Sequence, residues 1–153
     1  MIVHGSFTIA RAWKAAPARV FEAFASLEAK GKWFAPGIQP TERSFDFCEG
    51  GREVFVGQHP SGVVSRFDCL YRDIVPPAEG RPGRIVSSYV MHQDGKKISV
   101  SQACVQILPD GNGTRLVVRE DGAFLDGYDD NGSREHGTNW LMDMLGKSVG
   151  EAA

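Results

Sequence analysis

The chain has 153 residues, of which 42% are hydrophobic and 24% are charged, and its formal net charge at pH 7 is -2. These values are ordinary for one soluble domain with a single core, and two domains would each be too small. No stripe of lysine or arginine points to nucleic acid or to an anionic membrane as a partner. No stretch approaches the roughly 18 to 20 apolar residues that cross a bilayer, and residues 1–5 lack the pattern of a secretory signal. We therefore expect one cytoplasmic domain over residues 1–153, with no membrane insertion.

The cysteines and histidines have the spacing of neither a disulfide framework nor a metal site. Cys48, Cys69 and Cys104 are widely spaced and odd in number, so we expect reduced core thiols. The histidines form no HxxxH or HExxH pair. The acidic segment 126–130 fails the EF-hand template, because carboxylates are missing at its first and twelfth positions. We therefore expect no metal and no cofactor.

The first third of the chain predicts one strand and two short helices. Alternating hydrophobicity over Phe7–Trp13 is typical of a half-buried strand. Pro17 stands where a helix can begin, and the apolar residues after it recur at helical spacing. Ser26 is placed to cap a second short helix that ends near Trp33 and Phe34.

The middle of the chain has the period of strands. Glycine- or proline-bearing turns separate six predicted strands: Arg43–Cys48, Arg52–Gln58, Val63–Val75, Arg84–His92, Lys97–Leu108 and Thr114–Asp121. The one long gap, Pro76–Gly83, predicts a mobile loop. Because no helix lies between these strands, they should form an antiparallel meander.

The last segment, Ser133–Val149, returns to helical spacing, with Ser133 or Asn131 as its N-cap. Its apolar face is predicted to carry Trp140, Leu141, Met144 and Leu145. A sheet that is apolar on one face must cover that face, and only this helix is long enough to do so.

The order of elements therefore predicts an α+β helix-grip fold. We expect a curved antiparallel sheet of about seven strands, two short helices after the first strand, and a long C-terminal helix over the concave face. A strongly curved sheet leaves a gap beneath such a helix, and gaps of this kind hold ligands.

Several short motifs follow one another along nearly the whole chain: Ala16–Phe21, Lys32–Phe34, Phe45–Phe47 with Gly50–Arg52, Asp73–Pro76, Gly113–Leu116, Gly122–Gly127 and Ser133–Gly137. With these motifs the chain resembles the START-like (SRPBCC, birch-pollen-allergen-like) superfamily, and more narrowly the bacterial heat-shock-protein-90 ATPase activator homologue-like family. The resemblance implies the helix-grip fold. It implies no single function, because the superfamily includes lipid carriers, cyclases, oxygenase domains and hormone receptors. A co-chaperone role is not expected, since the eukaryotic activators resemble this chain in only one of their two parts.

Alternation along the strands predicts which side chains face the helix. The inner residues predicted for the last four strands are Phe67, Cys69 and Tyr71, then Ile85, Ser87, Tyr89 and Met91, then Ser101, Ala103, Val105 and Ile107, and finally Leu116, Val118 and Glu120. From these faces, the aromatic residues and the last helix, the candidate ligand-binding residues are Trp33, Phe47, Phe67, Cys69, Tyr71, Tyr89, Met91, Ser101, Ala103, Glu120, His136, Trp140 and Met144.

Two titratable residues leave the function open. Glu120 is a candidate to orient a polar ligand head, to act as a general base, or to serve structurally, either by capping backbone N–H groups of the following loop or by pairing with Arg134. His136 has a similar choice of roles. The favoured function is therefore binding of a small hydrophobic or amphipathic molecule without catalysis. The first alternative is a cavity enzyme of polyketide cyclase or hydratase type that uses Glu120, with or without His136, for acid–base chemistry. The second is a packed dimerising interaction or stress-response domain without a ligand, and a homodimer is compatible with all three.

Overall fold

A computed structural model describes residues 1–151 of the chain. Its elements, in chain order, are β1 (Ile2–Trp13), α1 (Pro17–Ala25), α2 (Leu27–Lys30), β2 (Pro40–Phe45), β3 (Arg52–Gln58), β4 (Val64–Val75), β5 (Gly83–Gln93), β6 (Lys96–Asp110), β7 (Gly113–Leu125) and α3 (Asn131–Ser148). Within these residues the strands form one antiparallel sheet in the order β1-β7-β6-β5-β4-β3-β2. The α+β helix-grip fold is thereby confirmed.

The ends of several elements differ from those predicted. β1 begins at Ile2 rather than Phe7, because its first residues pair with a longer β7 that continues to Leu125. β2 ends at Phe45, and residues 46–51 form the turn that leads into β3. The short helix α2 ends at Lys30, before Trp33.

The N-cap of α3 is Asp130, and neither residue predicted for that role occupies it. The Asp130 carboxylate accepts a hydrogen bond from the Ser133 backbone N–H at 2.8 Å and another from its hydroxyl at 3.0 Å. A carboxylate at this position also interacts favourably with the positive end of the helix dipole.

Helix α3 runs alongside β1, in the same direction. Its first residue, Asn131, donates to the backbone carbonyl of Ser6 at 3.1 Å. A side chain on neighbouring Gly5 would lie 2.5 Å from Asn131, so only glycine permits this approach. Farther along, Arg11 Nη2 donates to the side chain of Asn139 at 3.0 Å.

The packed core lies where α1 and the second half of α3 meet the sheet. Val20 on α1, Ile107 and Leu116 on the sheet, and Leu145 on α3 are all essentially without solvent exposure. The face of α3 that packs here is predicted correctly for Leu145 and, as partly buried residues, for Leu141 and Met144. It differs at two positions, because Met142 is buried and Trp140 is 49% exposed. Toward the first half of α3 the helix and the sheet lie farther apart, and the cavity described below begins there.

The cysteines depart in part from expectation. Cys69 is buried as predicted, but Cys48 is exposed and Cys104 is half-buried, so only one of the three is a core thiol. All three are unpaired. Within the connection between β4 and β5, Ala78 and Arg81 exchange backbone hydrogen bonds of 3.1 and 2.9 Å, forming a tight turn.

Candidate functional site

A cavity of about 730 Å³ lies between the concave face of the sheet and α3. Its deeper wall is apolar and includes Phe24, Trp33, Ile85, Val105, Val118 and Met142. Its opening is marked by exposed lining residues: Gly37 in the connection after α2, His59 and Pro60 in the β3–β4 turn, and Trp140 on α3, which is 49% exposed. The connection between β4 and β5 does not line this cavity.

The structure brings ten of the thirteen predicted site residues to the cavity wall. They are Trp33, Phe47, Phe67, Cys69, Tyr71, Tyr89, Met91, Ala103, Glu120 and Trp140. The inner faces assigned to β4 and β5 are thus the faces that line the cavity. That these residues contact a ligand remains a prediction.

The other three predicted residues lie elsewhere. Ser101 is buried under the guanidinium of Arg134, which donates to its hydroxyl at 3.4 Å. Met144 packs against the core. His136 is exposed, because it lies two positions from both Arg134 and Thr138, and two helical positions turn a side chain about 200° away.

One group of polar side chains, the Glu53 cluster, lies between the concave face of the sheet and α2. It comprises Lys30, Arg43, Glu53 and Tyr71. Glu53 on β3 has no solvent exposure. Its Oε1 accepts hydrogen bonds from Lys30 Nζ and from the Tyr71 hydroxyl, each at 2.5 Å. Arg43 Nη1 lies 2.8 Å from its Oε2. Of the four residues, Lys30 and Tyr71 line the cavity.

The cations of this cluster keep the carboxylate ionised. Burial alone would raise the pKa of Glu53, but the charge and hydrogen bond of Lys30, with the Tyr71 hydroxyl and the charge of Arg43, hold that pKa below its ordinary value. Burial and the adjacent carboxylate raise the pKa of Tyr71, so its phenol stays protonated and donates. The cluster is therefore a charged, hydrogen-bonded network in the interior of the protein.

A second group, the Glu120 cluster, lies under the first turns of α3 and comprises Glu120, Tyr89, Arg134, Asp129 and Ser99. The Tyr89 hydroxyl donates to Glu120 Oε1. Arg134 Nη1 donates to the same hydroxyl oxygen at 3.0 Å. Arg134 Nη2 donates to Ser99 at 2.8 Å and to Asp129 at 3.0 Å. Glu120 is 8% exposed and lines the cavity.

The pKa of Glu120 is shifted in the opposite direction to that of Glu53. Burial raises the pKa of Glu120 above its ordinary value, and the Tyr89 hydrogen bond, the Arg134 charge and the Thr138 hydrogen bond offset only part of that effect. Arg134 is shared with Asp129, which weakens its hold on Glu120. Glu120 thus takes up a proton more readily than an exposed glutamate, and both protonation states are able to hydrogen-bond a polar group in the cavity.

Aromatic rings connect the two clusters along the cavity wall. The Phe34 and Phe67 centroids are 5.1 Å apart, and those of Phe67 and Tyr89 are 5.2 Å apart. Cys69 lies in the same wall, and burial raises the pKa of its thiol to about 11. At neutral pH this sulfur is a thiol rather than a nucleophilic thiolate.

Sequence reasoning did not identify Lys30, Arg43 or Glu53 as site residues. A signal was present in β3, where Glu53 shares its face with Phe55, a residue of the cavity wall. Charged residues at inner-face positions are unusual. Nothing local to Lys30, on a helix of four residues, indicates that its side chain turns inward.

The structure shows no arrangement for a metal ion and no membrane-spanning helix in the part of the chain that it describes. Among residues 1–151, no three His, Cys, Asp or Glu side chains are grouped to hold a metal ion. No helix in this range has both the length and the apolar character needed to cross a membrane.

Comparison with known proteins gave family and structural matches. Residues 14–150 match the family model described as "Activator of Hsp90 ATPase homolog 1-like protein". The Mll3558 protein from Rhizobium loti is similar to the chain, with 39% sequence identity and a TM-score of 0.87 over 97% of this chain and 99% of that one. A putative uncharacterized protein from Rhizobium leguminosarum has 36% identity and a TM-score of 0.89 over 97% and 96% of the two chains. No match was found among curated proteins.

More distant solved structures share the fold. The CV1439 protein from Chromobacterium violaceum is 21% identical, with a TM-score of 0.75 over 96% of this chain and 98% of that one. The family model covers most of the chain, and the two rhizobial structures match it from end to end. These matches confirm the relationship that the sequence motifs indicated. The chain belongs to the family of activator of Hsp90 ATPase homolog 1-like proteins, within the SRPBCC helix-grip proteins.

Proposed function

We propose that this protein binds a small hydrophobic or amphipathic molecule in the cavity between the sheet and α3. The observation that carries the proposal is the cavity itself: about 730 Å³ with largely apolar and aromatic walls. This volume lies within the range of sites that enclose small ligands, which combine apolar walls with a few placed polar groups. The Glu53 and Glu120 clusters supply such groups.

The cavity favours binding over the other two functions considered from the sequence. A packed interaction domain has no need of a space this large in its interior. Of the two residues considered for an acid–base enzyme, His136 is exposed outside the cavity, so Glu120 would have to act there without it. Glu120 alone, held by Tyr89, is suited to orienting a polar group of the ligand.

The test is a ligand screen against the wild-type protein and two matched variants. Ala103→Phe places a ring in the cavity wall, whereas Gln102→Phe places the same ring on the outer face of the same strand. Native mass spectrometry of freshly purified protein is combined with thermal-shift measurements on a broad panel of apolar and amphipathic molecules. At 100 times the dissociation constant, a ligand stabilises by about 2.7 kcal/mol, which raises Tm by about 5 to 10 °C.

We expect the ligand-dependent shift in the wild-type protein and in Gln102→Phe, and its loss in Ala103→Phe. An unshifted wild-type protein across the whole panel contradicts the proposal. A shift retained in Ala103→Phe also contradicts it, because binding would then occur outside the cavity. If the wild-type protein chemically converts a bound compound and Glu120→Gln abolishes that conversion, the protein is an enzyme of the alternative type rather than a binding protein.

A further inference from the structure

The Glu53 cluster holds more positive than negative charge. Lys30 and Arg43 both pair with Glu53, and among the described residues neither is within ion-pair distance of another carboxylate. The exposed fractions of these side chains are 8% for Lys30, 16% for Arg43 and 0% for Glu53. One positive charge therefore remains unbalanced in a mostly buried site, which is unfavourable without a counter-charge.

The unbalanced charge is presented to the cavity by Lys30. Its ammonium donates to Glu53 at 2.5 Å and to the Tyr71 hydroxyl oxygen at 3.5 Å. An ammonium has three N–H donors, and the described residues provide no acceptor for the third. Lys30 Nζ also lies 4.8 Å from the Phe34 ring centroid and 5.8 Å from that of Phe67, both in the cavity wall.

The Glu120 cluster offers no comparable place for an anion. Arg134 is paired there with Asp129 at 3.0 Å, and Glu120 lies on the other side of the Tyr89 hydroxyl. Its two carboxyl groups make this cluster neutral or negative. Of the two polar groups in the cavity, only the Glu53 cluster carries an excess of positive charge.

We propose that the ligand is an amphipathic monoanion, such as an organic carboxylate, whose anionic group is bound by Lys30 while its apolar body lies along Phe34 and Phe67. This inference rests on the proposed function and names the ligand class for the same cavity. The ammonium donates its third N–H to the anion, and the anion supplies the missing negative charge. Desolvated charge-assisted hydrogen bonds of this kind are among the stronger polar interactions.

The test compares acids with neutral isosteres that have the same apolar body. Dodecanoate is compared with dodecanamide, and 2-naphthoate with 2-naphthamide, by isothermal titration calorimetry at pH 7.5. Wild-type protein is compared with Lys30→Met, which keeps an unbranched side chain only one heavy atom shorter and removes the charge. Lys32→Met is the matched control, because it makes the same change at an exposed lysine of the same segment.

We expect the wild-type protein to bind at least one acid about tenfold or more tightly than its amide. Lys30→Met should lose that preference while keeping its affinity for the amide, and Lys32→Met should behave as wild type. Equal affinities for acid and amide in the wild-type protein overturn the proposal, as does a preference that survives in Lys30→Met. If Lys30→Met does not fold, the comparison of acid and amide affinities in the wild-type protein still tests the proposal.

Chemical-shift mapping gives a second readout that needs no variant. The difference between the acid-bound and amide-bound spectra should centre on Lys30 and Glu53. A difference centred on Arg134 would place the anion at the other cluster and overturn the proposal. If none of the four compounds binds, the monoanion proposal is overturned, whereas the proposed function is decided separately by the broader ligand panel.

Discussion

Replacing Glu53 by glutamine should destabilise the protein strongly at neutral pH. The change keeps the shape of the side chain but removes the one negative charge that, within residues 1–151, pairs with Lys30 and Arg43. Both cations are largely buried, so they would remain in the interior without a counter-charge. Breaking a buried ion pair from one side costs about 3 to 5 kcal/mol. For a domain of this size, that loss lowers Tm by about 6 to 20 °C.

The direction of the Glu53 pKa shift sets how this cost depends on pH. Because the folded-state pKa of Glu53 is below its ordinary value of 4.5, its contribution is fully present above that value. The contribution is lost as the pH falls through the folded-state pKa. The difference in unfolding free energy between wild type and Glu53→Gln should therefore be constant near pH 7 and shrink in acid.

Urea unfolding followed by circular dichroism, repeated from pH 7 down to about pH 3, measures this difference. The control is Glu42→Gln on neighbouring β2, which removes an exposed pair with Arg66 and should cost at most about 1 kcal/mol. A Glu53→Gln protein as stable as Glu42→Gln at pH 7 would refute the electrostatic reasoning. So would a destabilisation that is independent of pH, because it would indicate a packing defect instead.

Three further changes test other parts of the structure. Glu120→Gln should gain stability relative to wild type as the pH rises from 4.5, because the folded-state pKa of Glu120 is raised and the wild-type protein loses stability as this carboxyl ionises. Thermal unfolding of both proteins across this pH range measures the difference in Tm, and a difference that does not change with pH contradicts the prediction. Leu145→Ala should cost about 2 to 5 kcal/mol in urea unfolding, since the side chain has no solvent exposure; a cost below 1 kcal/mol would show that the core is not packed there. Trp33→Phe leaves the Ala23 carbonyl without its 2.8 Å hydrogen bond and should cost about 1 to 3 kcal/mol; an unchanged free energy of unfolding contradicts that role.

The sheet and its inner face were predictable because they depend on local periodicity. Alternation in β4 and β5 placed Cys69 and Tyr89 on the inner face, and both line the cavity. The turns between strands contain glycine at positions with positive φ, such as Gly95 and Gly111, where L side chains are strained. These signals involve residues close together in the sequence.

The charged part of the site was not predictable in this way because it is assembled from distant segments. Lys30 and Glu53 are 23 positions apart, and Tyr89 and Glu120 are 31 apart. Strand pairing brings Tyr89 and Glu120 together, and the placement of α2 beside β3 brings Lys30 to Glu53. Single-sequence periodicity gives a face for each residue but neither the register between strands nor the position of a helix on the sheet. His136 was predicted to line the cavity but is exposed, whereas the next residue on the helix, Gly137, does line it. The helical period predicted from the sequence was therefore displaced by one residue at this point.

The register also places the two polar clusters close enough together for one molecule, the proposed ligand, to contact both. Cys69 on β4 pairs with Glu53 on one side and with Tyr89 on the other, so the two clusters meet near this strand. Lys30 Nζ lies 5.8 Å from the Phe67 centroid, which lies 5.2 Å from that of Tyr89. The ammonium is therefore at most about 11 Å from the Tyr89 ring. A molecule of that length with an anion at one end and a hydrogen-bonding group at the other would contact Lys30 and the Tyr89–Glu120 pair at once, with its apolar middle against Phe67. In the proposed complex the positive cluster therefore holds the anionic end of the ligand, and Glu120 accommodates either a donor or an acceptor at the far end.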